Sequence, residues 1–402
     1  MSSRVLSTAV LVLALLCLPT ELSNAALQSG ARPGGVAPEL PEVLRQRPQD
    51  FPSAQPERWA RFFDPAAQAE IGATLAPGVL DGMRIAESAY AQELFLVGLE
   101  ALHSVLLVEP DFPPAWLVAG ATYWRLRRYG DALYAYDRFL AVAPDQIART
   151  HGRGHALYTL GRYLEAKEHY LAVLEHTDQS AQIRLGLALA ELRLGESEAA
   201  LKHLDQVLEG APDDAEALAW RAQTLFDLGH TAEALEGARR AAQHSPGDPR
   251  PVWIAMEALF ELGRDDEAQR EEKRWRVLER SAADRRAIEG RLLLHPRQPH
   301  LARQLVENAV ATKDVGLIGA ALGRLRASTS PGESALSACV LAVETWLGLG
   351  AQDEARRAAL DMERRCASEP AAWQRLAVYW AALGDLERAE RAQQRYRDLG
   401  PP

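Results

Sequence analysis

The chain has 402 residues, of which 48% are hydrophobic and 25% charged, the balance of an ordinary folded protein with a sizeable core. Forty-five basic residues against fifty-five acidic ones leave a formal charge of −10. That excess of acid argues against binding nucleic acid through its phosphates and against attraction to anionic membrane surfaces.

The first 25 residues read as an export signal. Arg4 supplies the positive start, Val5 to Leu18 form an apolar stretch, and Pro19 breaks it. Ser23, Asn24 and Ala25 place small residues where a signal peptidase reads, so cleavage is expected after Ala25. The apolar stretch is shorter than the ~20 residues a membrane-spanning helix needs. Retention as an anchor is the alternative, and Leu15 and Leu16 before Cys17 speak against a lipid-attachment site. The mature chain is thus expected in a periplasm or outside the cell, with no membrane span.

Residues 26–56 are rich in Pro, Gly, Gln and Ala and have no helical period, which is the pattern of a disordered tether. Residues 57–78 carry Trp59, Phe62 and Phe63 and read as a helical cap on the first repeat, or as a segment that folds into the groove of the array. From residue 79 the pattern changes. Segments of about a dozen residues carry apolar side chains at i, i+3, i+4 and i+7, punctuated by Gly and Pro, and none alternates like a strand.

These segments repeat every 34 residues. Gly98, Ala132, Ala166, Ala200, Ala234 and Ala268 form one column, and Ala86, Gly120, Gly154, Ala188 and Ala222 a second, which Met256 interrupts. Gly161, Gly195, Gly229 and Gly263 form a third, preceded by Arg127. Pro110, Pro144, Pro212 and Pro246 form a fourth, with Asp178 at the missing place. Trp124, Tyr158, Leu192, Phe226 and Phe260 form a fifth. Small residues belong where helices approach closely, glycine where the first helix of a pair ends, and proline where the second cannot continue.

The stretch Trp116 to Pro144, with Trp116, Gly120, Tyr123, Tyr129, Ala132, Tyr136 and Pro144, resembles the tetratricopeptide repeat, a helix–turn–helix unit. The resemblance implies an all-α solenoid, a right-handed superhelix of antiparallel helix pairs. Six repeats are expected over 79–282, starting at Val79, Pro113, Ile147, Ala181, Ala215 and Pro249. The stretch Arg264 to His295 reads as one long helix, residues 283–335 as a degenerate repeat with irregular helices, and 336–402 as two further repeats. The last of these keeps Trp373, Ala377, Trp380, Gly384, Ala389 and Pro401 in step.

The resemblance also implies that the first helix of each pair lines a concave groove. Carried onto this chain, the groove holds Leu117, Trp124, His151, His155, Tyr158, Leu192, Phe226, Trp253 and Phe260, with Glu216, Gln223, Asp227, Arg250, Glu257 and Glu261 toward its later end. A peptide or protein with apolar anchors and basic residues is the partner this suggests, and self-association is a further possibility. Aromatic columns of this kind also serve as repeat-to-repeat core. Some members of the family grip a partner's terminal carboxylate with inner-face lysines and asparagines; here those positions are Leu, His or Glu, so that function is not expected.

Chemistry-bearing motifs are few. His151 and His155 are spaced to face one metal ion, but no third ligand is near in sequence, and neither a metal nor a cofactor is expected. No nucleophile elbow, CxxC motif or phosphate loop is present, so a non-catalytic scaffold or assembly factor of the cell envelope is the expected function. A metal-binding or enzyme-accessory protein using the His151/His155 pair is the alternative. Cys339 and Cys366 fall at the meeting ends of one helical hairpin, either as a disulfide worth ~2–4 kcal/mol or as two buried thiols.

Overall fold

The computed structural model describes residues 70–177, 181–329 and 333–400, together with Phe62. The signal at 1–25, the tether at 26–56 and most of the cap segment lie outside the described residues. Of the cap, Phe62 is buried edge-on against Phe112, and one helical turn spans 70–73. No strand occurs among the described residues.

The chain divides into two compact units. The first comprises residues up to His244 and Asp248–Arg276; the second comprises Ser245–Gly247 and Val277–Pro402. In the first unit helices pair as α1 (Val79–Ala91) with α2 (Phe95–Val108), α3 (Pro113–Arg125) with α4 (Tyr129–Val142), and α5 (His151–Thr159) with α6 (Tyr163–Leu174). Then come α7 (Ala181–Leu194) with α8 (Ser197–Gly210), and α9 (Ala215–Asp227) with α10 (Thr231–His244). Finally α11 (Pro249–Glu261) is followed by α12 (Asp265–Leu294), the long helix, whose first part belongs to this unit. Each helix packs on its chain neighbours, giving an all-α solenoid of antiparallel pairs.

The glycine column makes the turns. Gly161 has φ 79°, a left-handed conformation that costs an L-residue energy, and its N–H bonds Tyr158 C=O while Arg162 N–H bonds Leu157 C=O. Arg127 holds the equivalent place one repeat earlier with φ 60° and the same two bonds. Three of the first helices begin on proline or a capping aspartate: Pro113 and Pro249 sit at the starts of α3 and α11, while Asp214 and Asp248 accept backbone N–H bonds of α9 and α11.

One start departs from the 34-residue register. The third repeat, expected at Ile147, opens instead with a 3₁₀ segment, Pro144–Arg149, and α5 begins only at His151. Gln146 breaks the helical dihedrals, and the Thr150 hydroxyl bonds back to Ile147 C=O, closing the turn.

The small-residue columns are packing slots. Tyr136 of α4 lies against Gly120 of its own repeat and Gly152 of the next, and Tyr170 of α6 lies likewise against Gly154 and Gly186. In the following repeat the slot holds Leu204 and Ala188, both fully buried. Neighbouring first helices also touch each other (α1 with α3, α3 with α5, α5 with α7, α9 with α11), whereas second helices pack on the first helix of the next pair. The first helices thus share one face of this unit.

The second unit is built from the end of α12, α13 (Pro299–Thr312), α14 (Val315–Ser328), α15 (Glu333–Gly348), α16 (Gln352–Arg365), α17 (Pro370–Ala382) and α18 (Leu386–Leu399). Its core gathers Leu305, Ile318, Val343, Trp346, Met362 and Trp380. It shares a device with the first unit: Trp373 Nε1–H donates to Ala367 C=O, as Trp116 Nε1–H does to Pro110 C=O.

Candidate functional site

The predicted groove residues all fall on first helices of the first unit, but they are not equally accessible. Leu117 and Tyr158 are buried, as are Leu185 and Leu189 in the next repeat. Trp124, His151 and His155 are half-buried in one cluster. The His155 ring is 6.2 Å from Trp124 and 5.9 Å from His151, and its Nδ1 shares a 2.7 Å hydrogen bond with the Tyr170 hydroxyl. These early positions therefore act largely in repeat-to-repeat packing. Leu192, Phe226 and Trp253 are half-buried and Phe260 is 41% exposed. Phe226 and Trp253 rest on the core formed by Ile254, Ala258 and Leu259 and keep part of their rings open.

Burial holds the imidazoles neutral. It pushes His155 down to about 3, helped by His151 and His169, and takes His103 and His169 down to about 4. His103 bonds the Tyr123 hydroxyl at 2.7 Å, and His169 Nε2–H donates to Thr150 C=O at 2.9 Å. Among the described residues no group of three or more His, Cys, Asp or Glu could hold a metal ion. His155 instead spends its Nδ1 on Tyr170.

Two polar groupings lie on or beside the first helices. The Tyr158 hydroxyl accepts from Arg193 Nε at 3.1 Å, and the Tyr163 ring stands edge-on to Tyr158 at 5.3 Å. The Arg250 guanidinium lies 4.6 Å from the centre of the Trp220 ring. Burial pushes Glu216 up to about 7; Arg250 and the Trp220 indole pull it down, Asp214 and Asp248 push it up. Glu216 is therefore partly protonated at neutral pH, and this end of the face is less acidic than its sequence suggests. Of these residues, Arg193 and Trp220 were not singled out from the sequence. Arg193 had a signal, since it directly follows Leu192 of the aromatic column; Trp220 had none.

Cys339 on α15 and Cys366, at the C-terminal end of α16, are both buried free thiols in the core of the second unit. Burial first, and then Cys339, push the Cys366 thiol up to about 12. No described helix is long and apolar enough to cross a membrane.

Two-helix hairpins that recur every 34 residues and stack side by side define a helical-repeat solenoid, an architecture of protein–protein interaction scaffolds. The sequence profile of the tetratricopeptide repeat matches residues 83–147, 151–203 and 187–249. Residues 83–249 thus carry tetratricopeptide repeats.

Solved structures with the same kind of fold include MamA, 21% identical over 41% of this chain and 96% of its own, with a TM-score of 0.37. YrrB, described as a TPR protein with an unusual peptide-binding site, is 17% identical over 44% of this chain and 92% of its own, TM-score 0.38. The C-terminal part of a TPR repeat-containing protein from Cytophaga hutchinsonii is 11% identical over 64% of this chain and 98% of its own, TM-score 0.42. No curated relative matches the chain.

Proposed function

We propose that the chain is an exported, non-catalytic scaffold that holds a peptide or protein segment along the first-helix face of its first unit, as an assembly factor in the cell envelope. The observation that carries this reading is one column, Leu192, Phe226 and Phe260, each 34 residues after the last, whose side chains remain partly open beside Trp253. Apolar side chains repeated at one register of neighbouring helices and left in contact with water are a contact surface in waiting, because covering them releases ~25 cal/mol per Å². Export rests on the composition of residues 1–25; a purified mature protein whose first residue is Ala26 would support it, and one retaining Met1 in the cytoplasm would overturn it.

The test of the face is the triple variant Phe226→Ala, Trp253→Ala, Phe260→Ala in the full chain. Peptides selected on the wild type are measured against both proteins by fluorescence anisotropy, with circular dichroism as the control. Loss of binding at unchanged helical content is expected. Equal affinity for both proteins would move the site elsewhere, and concentration-dependent sedimentation of the wild type alone would make the face a self-association surface.

A further inference from the structure

Two apolar columns of the repeat are broken at one junction. Tyr123, Leu157, Leu225 and Leu259 hold one place in the repeat and are all buried, but the fourth helix pair, α7 and α8, puts Glu191 there, 3% exposed. Leu99, Leu133, Leu201 and Leu235 hold another place, and the third pair, α5 and α6, puts Lys167 there. The two exceptions meet. Lys167 Nζ on α6 lies 3.9 Å from Glu191 Oε1 on α7 and also pairs with Glu196, which precedes α8. His203 Nε2 on α8 stands 3.7 Å from the same Glu191 oxygen. Burial raises the Glu191 pKa, Lys167 pulls it back only in part, and Glu196 adds to the rise, so pairing does not repay the desolvation of this carboxylate.

An ion pair that costs stability in an apolar interface still acts on the choice of neighbour. The helix pairs share one architecture, so the second helix of each meets first helices of nearly the same shape. Only the fourth pair offers Lys167 two carboxylates. Where the second, third, fifth and sixth pairs stand in for it, Glu191 is replaced by Tyr123, Leu157, Leu225 or Leu259. Glu196 is replaced by Arg128, Arg162, His230 or Arg264, so Lys167 would meet an apolar side chain and, in all but one case, a fixed cation. Tyr170, three residues further along α6, adds a fit of shape. It lies against Gly186 of α7, where the fifth and sixth pairs carry Trp220 and Ile254.

We infer that Lys167, with Glu191 and Glu196, fixes the order of the array by letting the third helix pair stack only on the fourth. The device stands apart from the peptide-binding face and does not depend on it. A lysine set against a leucine and an arginine, or Glu191 buried without its lysine, costs far more than the matched pair does. A chain that skips a pair, or takes the wrong pair from a second copy, is therefore disfavoured even where the apolar surfaces match.

The full chain is unfolded in urea and refolded by dilution, and the share that regains the native elution volume is read by size-exclusion chromatography with light scattering, beside urea melts. The double variant Lys167→Leu, Glu191→Leu gives this junction the residues of the other pairs. It should be at least as stable as wild type, yet leave about twofold or more chain in associated or misassembled species on refolding. Lys167→Glu alone sets three carboxylates together and should refold worst. Exchanging the charges, Lys167→Glu with Glu191→Lys, should recover most of that loss. A leucine double variant that refolds as cleanly as wild type overturns the inference. So does one that melts at lower urea or fails to fold, which would make the ion pair a source of stability. An exchanged pair that refolds no better than Lys167→Glu overturns it as well.

Discussion

The Tyr170 ring lies so close to the α-carbon of Gly154 that a methyl group there would sit 2.4 Å from its Cε1. Tyr170 is fully buried and also bonds His155 at 2.7 Å, so it has no free direction in which to yield. Gly154→Ala gains helix propensity of ~0.5–1 kcal/mol but overpacks the slot at ~1–3 kcal/mol, so the variant should be less stable. The double variant Gly154→Ala, Tyr170→Leu imitates the next repeat, where Ala188 pairs with Leu204. It should lose less stability than the sum of the two single variants. Urea melts of all three decide it; strict additivity would mean the two residues do not share a slot.

The buried histidines set an acid limit. His103, His155 and His169 stay neutral in the fold down to about 4, 3 and 4, whereas an unfolded imidazole takes a proton near pH 6.5. The unfolded chain thus binds more protons below pH 6.5, and stability must fall as the pH drops from there toward 4. Burial shifts His151 and His203 the same way. Glu216, raised to about 7, acts in the opposite sense: its contribution is full below the unfolded pKa of 4.5 and lost as pH rises through 7. Glu87 and Glu191, also raised by burial, oppose the histidines as well. The histidines outnumber them, so the urea midpoint should decline between pH 6.5 and 5, and more steeply in Glu216→Gln. A midpoint that rises over this interval would show that the imidazoles are open to solvent.

In the second unit Asp314 is buried and performs three tasks. Its Oδ1 caps α14 through Leu317 N–H at 3.1 Å, and its Oδ2 accepts from Gly247 N–H and the Ser245 hydroxyl, each at 3.2 Å. Asp314→Ala removes a cap worth ~1 kcal/mol and strands the buried Gly247 N–H at ~1–3 kcal/mol. A loss of ~2–4 kcal/mol is expected in denaturant melts, and Asp314→Asn should recover part of it. A loss under about half a kcal/mol would place these bonds in solvent.

Cys339 and Cys366 should resist alkylation in the native protein. Both are buried and burial raises both thiol pKa values, so little thiolate is present to react. Peptide mass mapping after maleimide treatment should find neither residue modified when native and both modified in guanidinium. Failure of both to react in guanidinium without reductant would instead reveal a bridge in the purified protein.

The helices were legible because their causes are local. The glycine column marks left-handed turns at Gly161 and Gly195, the prolines at 113 and 249 start helices, and the small columns open slots for Tyr136 and Tyr170. A repeat reads its own neighbours at fixed spacing, so one column of residues reports one contact many times over. The late start of α5 was not legible, because it depends on the Thr150 turn and not on the period.

What sequence alone determined was therefore the period, the helix pairs and the residues that share a face. Which of those residues water can reach was decided only in three dimensions. Tyr158 and Phe260 occupy the same place in the repeat, yet one is 7% exposed and the other 41%, because accessibility depends on what the neighbouring repeats pack against each ring. The hydrogen bond from Arg193 to the Tyr158 hydroxyl is likewise tertiary. It joins two neighbouring repeats, and no single repeat carries the information for it.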